Sequence, residues 1–564
     1  VTEGLRFKAL ASFKNWSSTT NSASAGWNKY HLQDFSVDDN GVYSFVTRLQ
    51  NESGGEVSTD LKPGVANSGD RRFYFQAIMD YNRTFGKHDV NAMFIYNQDE
   101  LVTQLFSGDL IAALPKRKQG VAARLSYAYD GKYLAEVNMG YNGSENFAKG
   151  HRWGFFPSIA VGYNISEEAF FEPLKNVFSN MKIRASWGLV GNDNIGGARF
   201  VYMPTINLTG TGYTTGLDGD ITYKGPVYSR YGNPEVTWEV GKKVNVGLDL
   251  QLFNSLNLTM DYFHETRTDI FQERGTIPQY LGTAGTKVFG NLAAMKNQGF
   301  DFAADFNKKI GKDWFISFKG TFTYAHNEIT KYDESPKYAF QSKVGQSANI
   351  PSIMISDGLF KDPDDVKNSN QQIGGNLSAG DIKYVNISKL YGYDDDIVDI
   401  SDWVWAKNPT VPEIVYGFGP SIRWKNLDFS FFFQGVAKVS LVMSDFHPFG
   451  DNSLRNVLTW IADDRWSPDN QNINATYPRL TRDTSVNNTQ RSDYWLRNAA
   501  FIKLKNAEIG YTYKNMRFYV SGMNLATFSP FKHWDPEQGG GNGLKYPTQR
   551  VFNFGFQMTI NNNR

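Results

Sequence analysis

The residues best suited to ligand chemistry lie close together in one loop-like segment that combines aromatic and acidic side chains. Sugars present apolar ring faces and hydroxyl edges, so their binding sites combine flat aromatic rings with carboxylates or amides. The segment therefore predicts a substrate-binding site for an oligosaccharide. Packing of the rings between loops, or against a partner protein, is the open alternative. The members of this set are Tyr391, Tyr393, Trp403, Trp405, Asp394, Asp395 and Asp396.

Other aromatic residues in loop-like segments are weaker candidates of the same kind. They are Phe446, His447, Trp534 and the stretch YTTGLDGD at 213–220.

The residue types of common catalytic and metal sites do not occur at the required spacing. The glycine-rich stretch GGGNGLK at 539–545 is followed by Tyr546 instead of the Ser or Thr that a phosphate-binding loop needs. His264 and Glu265 have no second histidine four residues on, and the chain contains no cysteine. The acidic segment 380–402 lacks the glycine of a calcium-binding loop between Asp396 and Ile397, so a solvated acidic loop is favoured there and a calcium site is the alternative. We therefore expect no enzyme, no metal site and no cofactor.

Charge and composition exclude further classes of protein. Lysine and arginine number 58 against 57 for aspartate and glutamate, so the net charge of +1 supports no nucleic acid partner. Aromatic residues make up 15% of the chain and glycines number 52, a mixture typical of strands, tight turns and aromatic girdles. No apolar run approaches the roughly 18 residues of a membrane-spanning helix, so only a closed barrel could span a membrane.

Apolar residues alternate with small or polar ones along much of the chain. In residues 551–560, Phe552, Phe554 and Phe556 alternate with Asn553, Gly555 and Gln557, which gives a strand one apolar and one polar face. About 18 strand candidates follow this pattern. The weakest of them are 30–35 and 41–50.

The connections between strand candidates alternate between short turns and long segments, of which the longest are 328–412 and 442–494. Outer-membrane barrels have this asymmetry, with short periplasmic turns and long extracellular loops. The sequence therefore predicts an all-β fold, a transmembrane antiparallel β-barrel whose apolar face contacts outer membrane lipid. The strand count should be even. The expected lumen-lining residues are Arg124, Glu136, Asn138, Arg184, Asp249 and Asp261.

Six segments resemble the carboxy-terminal two-thirds of SusC/RagA-family TonB-dependent outer-membrane transporters, which are typical of Bacteroidetes. They follow the family order along nearly the whole chain. The segments are NRTFGKHDVNAMF (82–94), KIRASWGLVGNDNIG (182–196), NLDFSFFFQG (426–435), WLRNAAFIKLKNAEIGYTY (495–513), VSGMNLATFSPF (520–531) and YPTQRVFNFGFQMTI (546–560).

The resemblance implies that residues 1–564 form the carboxy-terminal part of a 22-stranded barrel. A plug domain and about four first strands are then expected outside this chain, because unpaired strand edges are costly in lipid. A further polypeptide segment should carry them. The resemblance also implies a SusD-like surface lipoprotein as a lid, coupling to the TonB complex through the plug, and dimers of SusC–SusD pairs.

We expect the ligand to be an oligosaccharide released by glycan breakdown. A peptide importer of the RagA type would have the same barrel and is the first alternative. A passive porin or a structural barrel is the second, and a soluble β-rich glycan-binding protein is the third.

Overall fold

The computed structural model describes residues 3–49, 58–104, 111, 114–196, 198–278, 280, 285–393, 396–445, 449, 456–481 and 486–560. None of the helices in these ranges has both the length and the apolar character needed to cross a membrane. The α-helices are short, at Pro363–Asn368, Ile387–Leu390 and Thr459–Asp463. The 3₁₀ helices are Ile165–Glu167, Ala169–Leu174, Ala339–Gln341, Ile400–Asp402 and Pro536–Gln538.

Strands dominate the described ranges. In chain order they are β1 (Leu5–Ser24), β2 (Tyr30–Val37), β3 (Tyr43–Leu49), β4 (Lys62–Phe85), β5 (His88–Gln104), β6 (Lys116–Tyr129), β7 (Tyr133–Ser144), β8 (Trp153–Asn164), β9 (Phe178–Asn192), β10 (Thr205–Thr215), β11 (Ile221–Arg230), β12 (Glu239–Leu252), β13 (Leu256–Glu273), β14 (Phe289–Ile310), β15 (Trp314–Lys331), β16 (Ser352–Ile353), β17 (Ser356–Leu359), β18 (Ile382–Tyr384), β19 (Val404–Trp405), β20 (Ile414–Trp424), β21 (Leu427–Ala437), β22 (Ser440–Val442), β23 (Leu496–Asn498), β24 (Phe501–Tyr513), β25 (Met516–Phe528) and β26 (Val551–Met558).

Sixteen of these strands form one antiparallel sheet, which we call the wall. Its order is β1-β4-β5-β6-β7-β8-β9-β12-β13-β14-β15-β20-β21-β24-β25-β26. Each strand pairs with the strand that precedes and the strand that follows it in this order, so the wall is a meander extended by long insertions. Among the described residues, β1 pairs only with β4 and β26 only with β25, and these two strands are the edges of the sheet.

The expected number of about 18 wall strands needs a correction to sixteen, which is still an even number. The candidates at 30–35 and 41–50 do form strands, but β2 and β3 pair with each other as a separate hairpin. Phe35 pairs in register with Phe45, and Val37 with Tyr43, so the hairpin has one apolar face like a wall strand. The alternation of apolar and polar residues predicts that a strand has one apolar and one polar face, but it does not predict which strand pairs with it.

The register of the wall gathers the apolar side chains on its outer face. Phe318 of β15 pairs with Phe306 on one side and Pro420 on the other, whereas the adjacent Lys319 faces inward and lies 4.0 Å from Asp305. On β26, Phe552, Phe554 and Phe556 are 57–84% exposed. Large apolar side chains exposed at this level across neighbouring strands are typical of a surface that contacts lipid.

Aromatic rings border the outer apolar band on both sides. Near the short turns, Trp314 stacks on Trp424 with ring centroids 5.7 Å apart. At the opposite ends of the strands, Tyr141 stacks on Trp153 at 4.8 Å. Such rings combine an apolar body with a polar tip and are found where lipid meets water, so the two rows mark the borders of the membrane.

The two ends of the wall differ as the sequence predicts. Tight turns join β6 to β7, β20 to β21, and β24 to β25, and Asp130 and Gly131 of the first turn both have positive φ. This backbone matches the strand twist of a hairpin, and glycine adopts it at no steric cost. At the other end, residues 332–413 connect β15 to β20, and residues 438–500 connect β21 to β24.

The long connections fold onto a core of their own. Residues from 332–413, 438–500 and 529–550 share one cluster of buried side chains, which we call the loop core. Its most deeply buried members are Ile382, Ile461, Val398, Met443, Phe449 and Tyr477. A packed core holds side chains in fixed rotamers, so these connections can present residues at fixed positions.

A lysine placed on the outer face of the wall should destabilise the protein far more than one on the inner face. Phe318 lies between the aromatic residues Trp314 and Tyr324 of β15, so Phe318→Lys puts a charge into lipid. We expect a loss of about 2–4 kcal/mol in the free energy of unfolding, measured by denaturant titration in phospholipid vesicles. Thr321→Lys, on the inner face of β15, is the control and should change it little. Equal losses would contradict the assigned faces.

Candidate functional site

An arginine on the inner face of the wall spans three strands. Arg184 of β9 donates from Nη2 to Asp261 Oδ2 of β13 at 2.6 Å and from Nε to Asp249 Oδ2 of β12 at 3.1 Å. Gly247 of β12 pairs in register with both Arg184 and Asp261, and therefore lies beneath the guanidinium. A Cβ atom at Gly247 would lie 2.5 Å from Arg184 Cζ, so glycine is what allows the arginine to cross.

The same arrangement recurs in the last third of the wall. Arg517 of β25 crosses Gly510 of β24 to bind Asp428 of β21, and it also donates to Glu508 at 2.6 Å. A Cβ atom at Gly510 would lie 2.6 Å from both Arg517 Nη2 and Asp428 Oδ2. Charged hydrogen bonds that pass over a glycine thus connect three strands on the polar face.

The other charged group predicted for this face, that of Arg124, is simpler. Arg124 of β6 donates to Glu136 of β7 at 2.6 Å, and Asn138 donates to the other oxygen of the same carboxylate at 2.9 Å. The six residues expected to line a lumen thus lie on the inner face in two hydrogen-bonded groups, Arg124 with Glu136 and Asn138, and Arg184 with Asp249 and Asp261. That they border a transport path stays a prediction.

The aromatic residues predicted to bind substrate divide into two environments. Tyr391 and Tyr393 are 59% and 52% exposed. Tyr391 stacks on Phe340 with centroids 4.4 Å apart, and Tyr393 lies 4.7 Å from Tyr338. We call these four rings the aromatic patch. Because neighbouring rings fix the two tyrosines, the patch presents ordered ring surface to solvent.

The two tryptophans of the same prediction pack inside the loops. Trp403 packs against the loop core, and Trp405 donates from Nε1 to the carbonyl oxygen of Ser342 at 2.9 Å. Their rings meet edge-on at 4.8 Å. Asp396 is exposed and lies 3.5 Å from Lys389 Nζ. Asp394 and Asp395 lie outside the described residues.

The weaker candidates also differ in environment. Tyr213 is 73% exposed on β10, in the separate hairpin with β11. Trp534 donates from Nε1 to Gly539 O at 3.0 Å and contacts Phe531 edge-on. Phe446 and His447 lie outside the described residues. In the part of the chain that the structure describes, no three His, Asp or Glu side chains are grouped so as to hold a metal ion.

A buried lysine that the sequence analysis did not single out anchors the last long connection. We call residues 529–550, between β25 and β26, the strap. Lys503 of β24 is 1% exposed, and its Nζ lies 2.7 Å from Asp535 Oδ2 and 2.5 Å from Glu537 Oε2 of the strap. His533 of the strap stacks on Trp460 with centroids 4.5 Å apart. The only signal in the sequence is a lysine among the apolar residues that start β24.

Electrostatics at the strap follow from this burial. Burial is the largest single influence and alone would raise the pKa of Asp535 and of Glu537, but their hydrogen bonds and the positive charge of Lys503 together outweigh it and hold each pKa below its usual value. Burial lowers the pKa of His533, and the nearby charge of Arg497 adds to the effect. The strap is therefore held by two carboxylates that stay ionised at neutral pH, and by a histidine that stays neutral.

Adding one methyl group at Gly247 should break the crossing of Arg184. Gly247→Ala displaces the guanidinium from Asp261, and we expect a loss of about 1 kcal/mol in the free energy of unfolding, since the pair is partly screened by water. The control is the same change in an Arg184→Met background, where the effect should vanish. An undiminished loss in that background would mean that strain in β12 itself is responsible.

Removing the buried ammonium should release the strap. Lys503→Met leaves Asp535 and Glu537 without their buried partner, so trypsin should cleave faster after Lys532 and Lys545. Lys505→Met is the comparison, because it removes only the more exposed ion pair with Glu537, at 3.2 Å, and should speed cleavage less. Acid should release the strap in the same way. The ion pairs stabilise the strap fully at pH values well above 3.8 and 4.5, the ordinary pKa values of Asp535 and Glu537. That stabilisation is lost as the pH falls through the lowered pKa values of the two carboxylates. Unchanged cleavage would contradict the anchoring role.

Comparison with known proteins identifies the family. The model of the "TonB dependent receptor-like, beta-barrel" family matches residues 3–525. TonB-dependent receptor P3 of Formosa agariphila is 25% identical over 562 residues, covering 89% of this chain and 54% of that protein. TonB-dependent receptor SusC of Bacteroides thetaiotaomicron is 27% identical over 470 residues, covering 77% of this chain and 43% of that protein.

Solved structures agree with the fold. A structure of the RagAB peptide importer in its open-open state superposes with a TM-score of 0.72 at 20% identity, and the match covers 99% of this chain and 60% of that chain. This chain spans about half the length of the curated relatives it matches. It is an outer-membrane protein that belongs to the TonB-dependent receptor β-barrel family and is of the SusC/RagA type.

Proposed function

We propose that the protein carrying this chain imports oligosaccharides across the outer membrane by TonB-dependent transport. The observation that carries the proposal is the aromatic patch on the long connections. Tyr391 and Tyr393 are exposed, yet each is held by a neighbouring ring at less than 5 Å. Rings fixed in this way bind the apolar faces of sugars with little loss of side-chain entropy.

The wall supplies the polar part of the path. Its inner face carries paired charges, so an uncharged polar ligand meets hydrogen-bonding groups without an excess of one sign. The groups formed by Arg124 and Arg184 border this path in the proposal.

The partners follow from the family and from the two edges of the wall. A segment that carries a plug and further strands pairs with β1 and β26, and closing a 22-stranded barrel around sixteen strands takes about six more. Such pairing satisfies the backbone groups that would otherwise face lipid. A SusD-like lipoprotein covers the long connections, TonB acts on the plug, and two such pairs associate as a dimer.

Conductance separates an importer from a passive pore. The complete protein, reconstituted in liposomes, should allow almost no swelling in solutions of small neutral sugars, because the plug blocks the lumen. Rapid swelling would contradict TonB-dependent import and favour a porin.

Removing the exposed tyrosines should impair uptake of the ligand. In cells that produce the complete transporter, Tyr391→Ala with Tyr393→Ala should raise the KM for oligosaccharide uptake about tenfold or more, because each ring contributes about 1 kcal/mol to binding. Tyr43→Ala removes a ring on β3 that is 59% exposed, as Tyr391 is, and that is not a candidate for ligand binding, so it serves as the control. If the double variant blocks peptide uptake while oligosaccharides are never taken up, the protein is a peptide importer of the RagA type.

A further inference from the structure

A cavity of about 740 Å³ lies between the two longest connections of the wall. Its lining comes from residues 348–351 and Thr410 of one connection, and from residues 442–445, Phe449, 488–491 and Trp495 of the other. Binding sites for small molecules usually measure about 300–1,000 Å³. The cavity shares no residue with the aromatic patch.

The floor of this cavity is apolar and rigid. Met443 and Phe449 are each 1% exposed, Trp495 is 4% exposed, and all three belong to the loop core. The strap supports the same floor, since the N–H of Gly541 donates to Val442 O at 2.9 Å and the N–H of Ser444 donates to Gly541 O at 3.0 Å. The shape of the cavity is thus fixed by packing on one side and by backbone hydrogen bonds on the other.

Asn349 and Arg491 supply hydrogen-bond donors at the rim. The backbone of Asn349 is held by Thr410, whose N–H and Oγ1 both donate to its carbonyl oxygen, at 2.9 and 3.2 Å. The backbone of Arg491 is held by the N–H of Met354 at 2.9 Å. Both side chains are exposed, and within the described ranges neither makes a hydrogen bond or ion pair. They are therefore positioned by their backbones and open to a ligand.

Asp445 and Gln490 supply acceptors at the same rim. Within the part of the chain described, the carboxylate of Asp445 accepts a side-chain hydrogen bond only from the adjacent Ser444, at 3.0 Å. The amide nitrogen of Gln490 donates to Val486 O at 2.9 Å, which leaves its oxygen as an acceptor. The rim therefore holds one carboxylate, one guanidinium and two amides, with a formal charge of zero.

We infer that this cavity is a subsite for an uncharged, hydroxyl-rich unit, one sugar residue of a neutral oligosaccharide. A hydroxyl group both donates and accepts, so neighbouring hydroxyls of a sugar satisfy Asp445 and Gln490 as donors and Arg491 and Asn349 as acceptors. The C–H face of the sugar then packs against Ile350 and Val442, apolar lining residues that, unlike the buried floor, are partly exposed. A polyanionic glycan is mismatched, because Asp445 offsets the single guanidinium. The inference rests on the proposed import function, which supplies the oligosaccharide.

Binding to the complete protein in detergent tests the subsite directly. Maltohexaose, xylohexaose and laminarihexaose are titrated by calorimetry, with hexagalacturonate and a mixture of short peptides as charged probes. We expect at least one neutral hexasaccharide to bind. Arg491→Ala should then raise its Kd about tenfold or more, as expected for loss of a charged hydrogen bond. Ser444→Trp, which fills the cavity and keeps its carboxylate, guanidinium and two amides, should abolish binding.

Controls keep the outcome interpretable. Lys407→Ala removes an exposed basic residue of the other connection, 332–413, that does not line the cavity, and should leave the Kd unchanged. If the tryptic pattern of either variant shows loop unfolding, Asn349→Ala, which removes only an exposed amide, replaces it. Three results would overturn the subsite. The first is sugar binding that neither cavity variant changes, and the second is binding of peptides or hexagalacturonate instead of a neutral sugar. The third is no binding of any neutral probe up to about 1 mM.

Uptake by cells distinguishes this inference from the proposed function. If cells take up the oligosaccharide normally, and the Kd of the sugar is the same for the cavity variants as for the unchanged protein, the subsite is contradicted and the import function is not. Absence of uptake with sugar binding that depends on Arg491 would contradict import and leave the subsite standing.

Discussion

The structure depends on one constraint, that every backbone N–H and C=O within lipid must find a partner inside the protein. In the wall, each of the fourteen strands between the two edge strands meets this need through two antiparallel neighbours. The side chains are then divided by the pleat, with apolar residues outside and polar residues inside. The other features follow this division, with the aromatic rows on the apolar outer face and the charged groups on the polar inner face.

The inner charges show how strand pairing creates chemistry that no single strand contains. Arg184, Gly247 and Asp261 come from three strands, and only the register brings the glycine beneath the guanidinium. Arg517, Gly510 and Asp428 repeat the pattern with the arginine on the last of the three strands instead of the first. A glycine on the polar face thus leaves room for an arginine side chain to pass over the middle strand and reach a carboxylate two strands away.

Local alternation was sufficient to predict most of the wall, because a strand between lipid and a polar lumen records both environments in its own sequence. It failed for β2 and β3, whose apolar face has the same period but a different neighbour. It also did not identify Lys503, because a buried ion pair depends on Asp535 and Glu537 more than thirty residues away. Residues in loops follow no periodic pattern of apolar and polar types, so their partners can be identified only in the folded structure.

The long connections illustrate the same limit for binding residues. Tyr391 and Trp403 belong to one composition-based prediction, yet the tyrosine is exposed on the aromatic patch while the tryptophan packs on the loop core. The rim of the cavity uses Asn349, Gln490 and Arg491, ordinary polar residues whose sequence context is unremarkable. In Asn349 and Arg491 the backbone carbonyl is fixed by hydrogen bonds while the side chain makes none in the described chain. Gln490 differs, because its amide nitrogen donates to Val486 O and only its amide oxygen remains as an acceptor. In the inferred subsite such groups have already lost backbone freedom and can still form hydrogen bonds with a ligand, which lowers the entropic cost of binding.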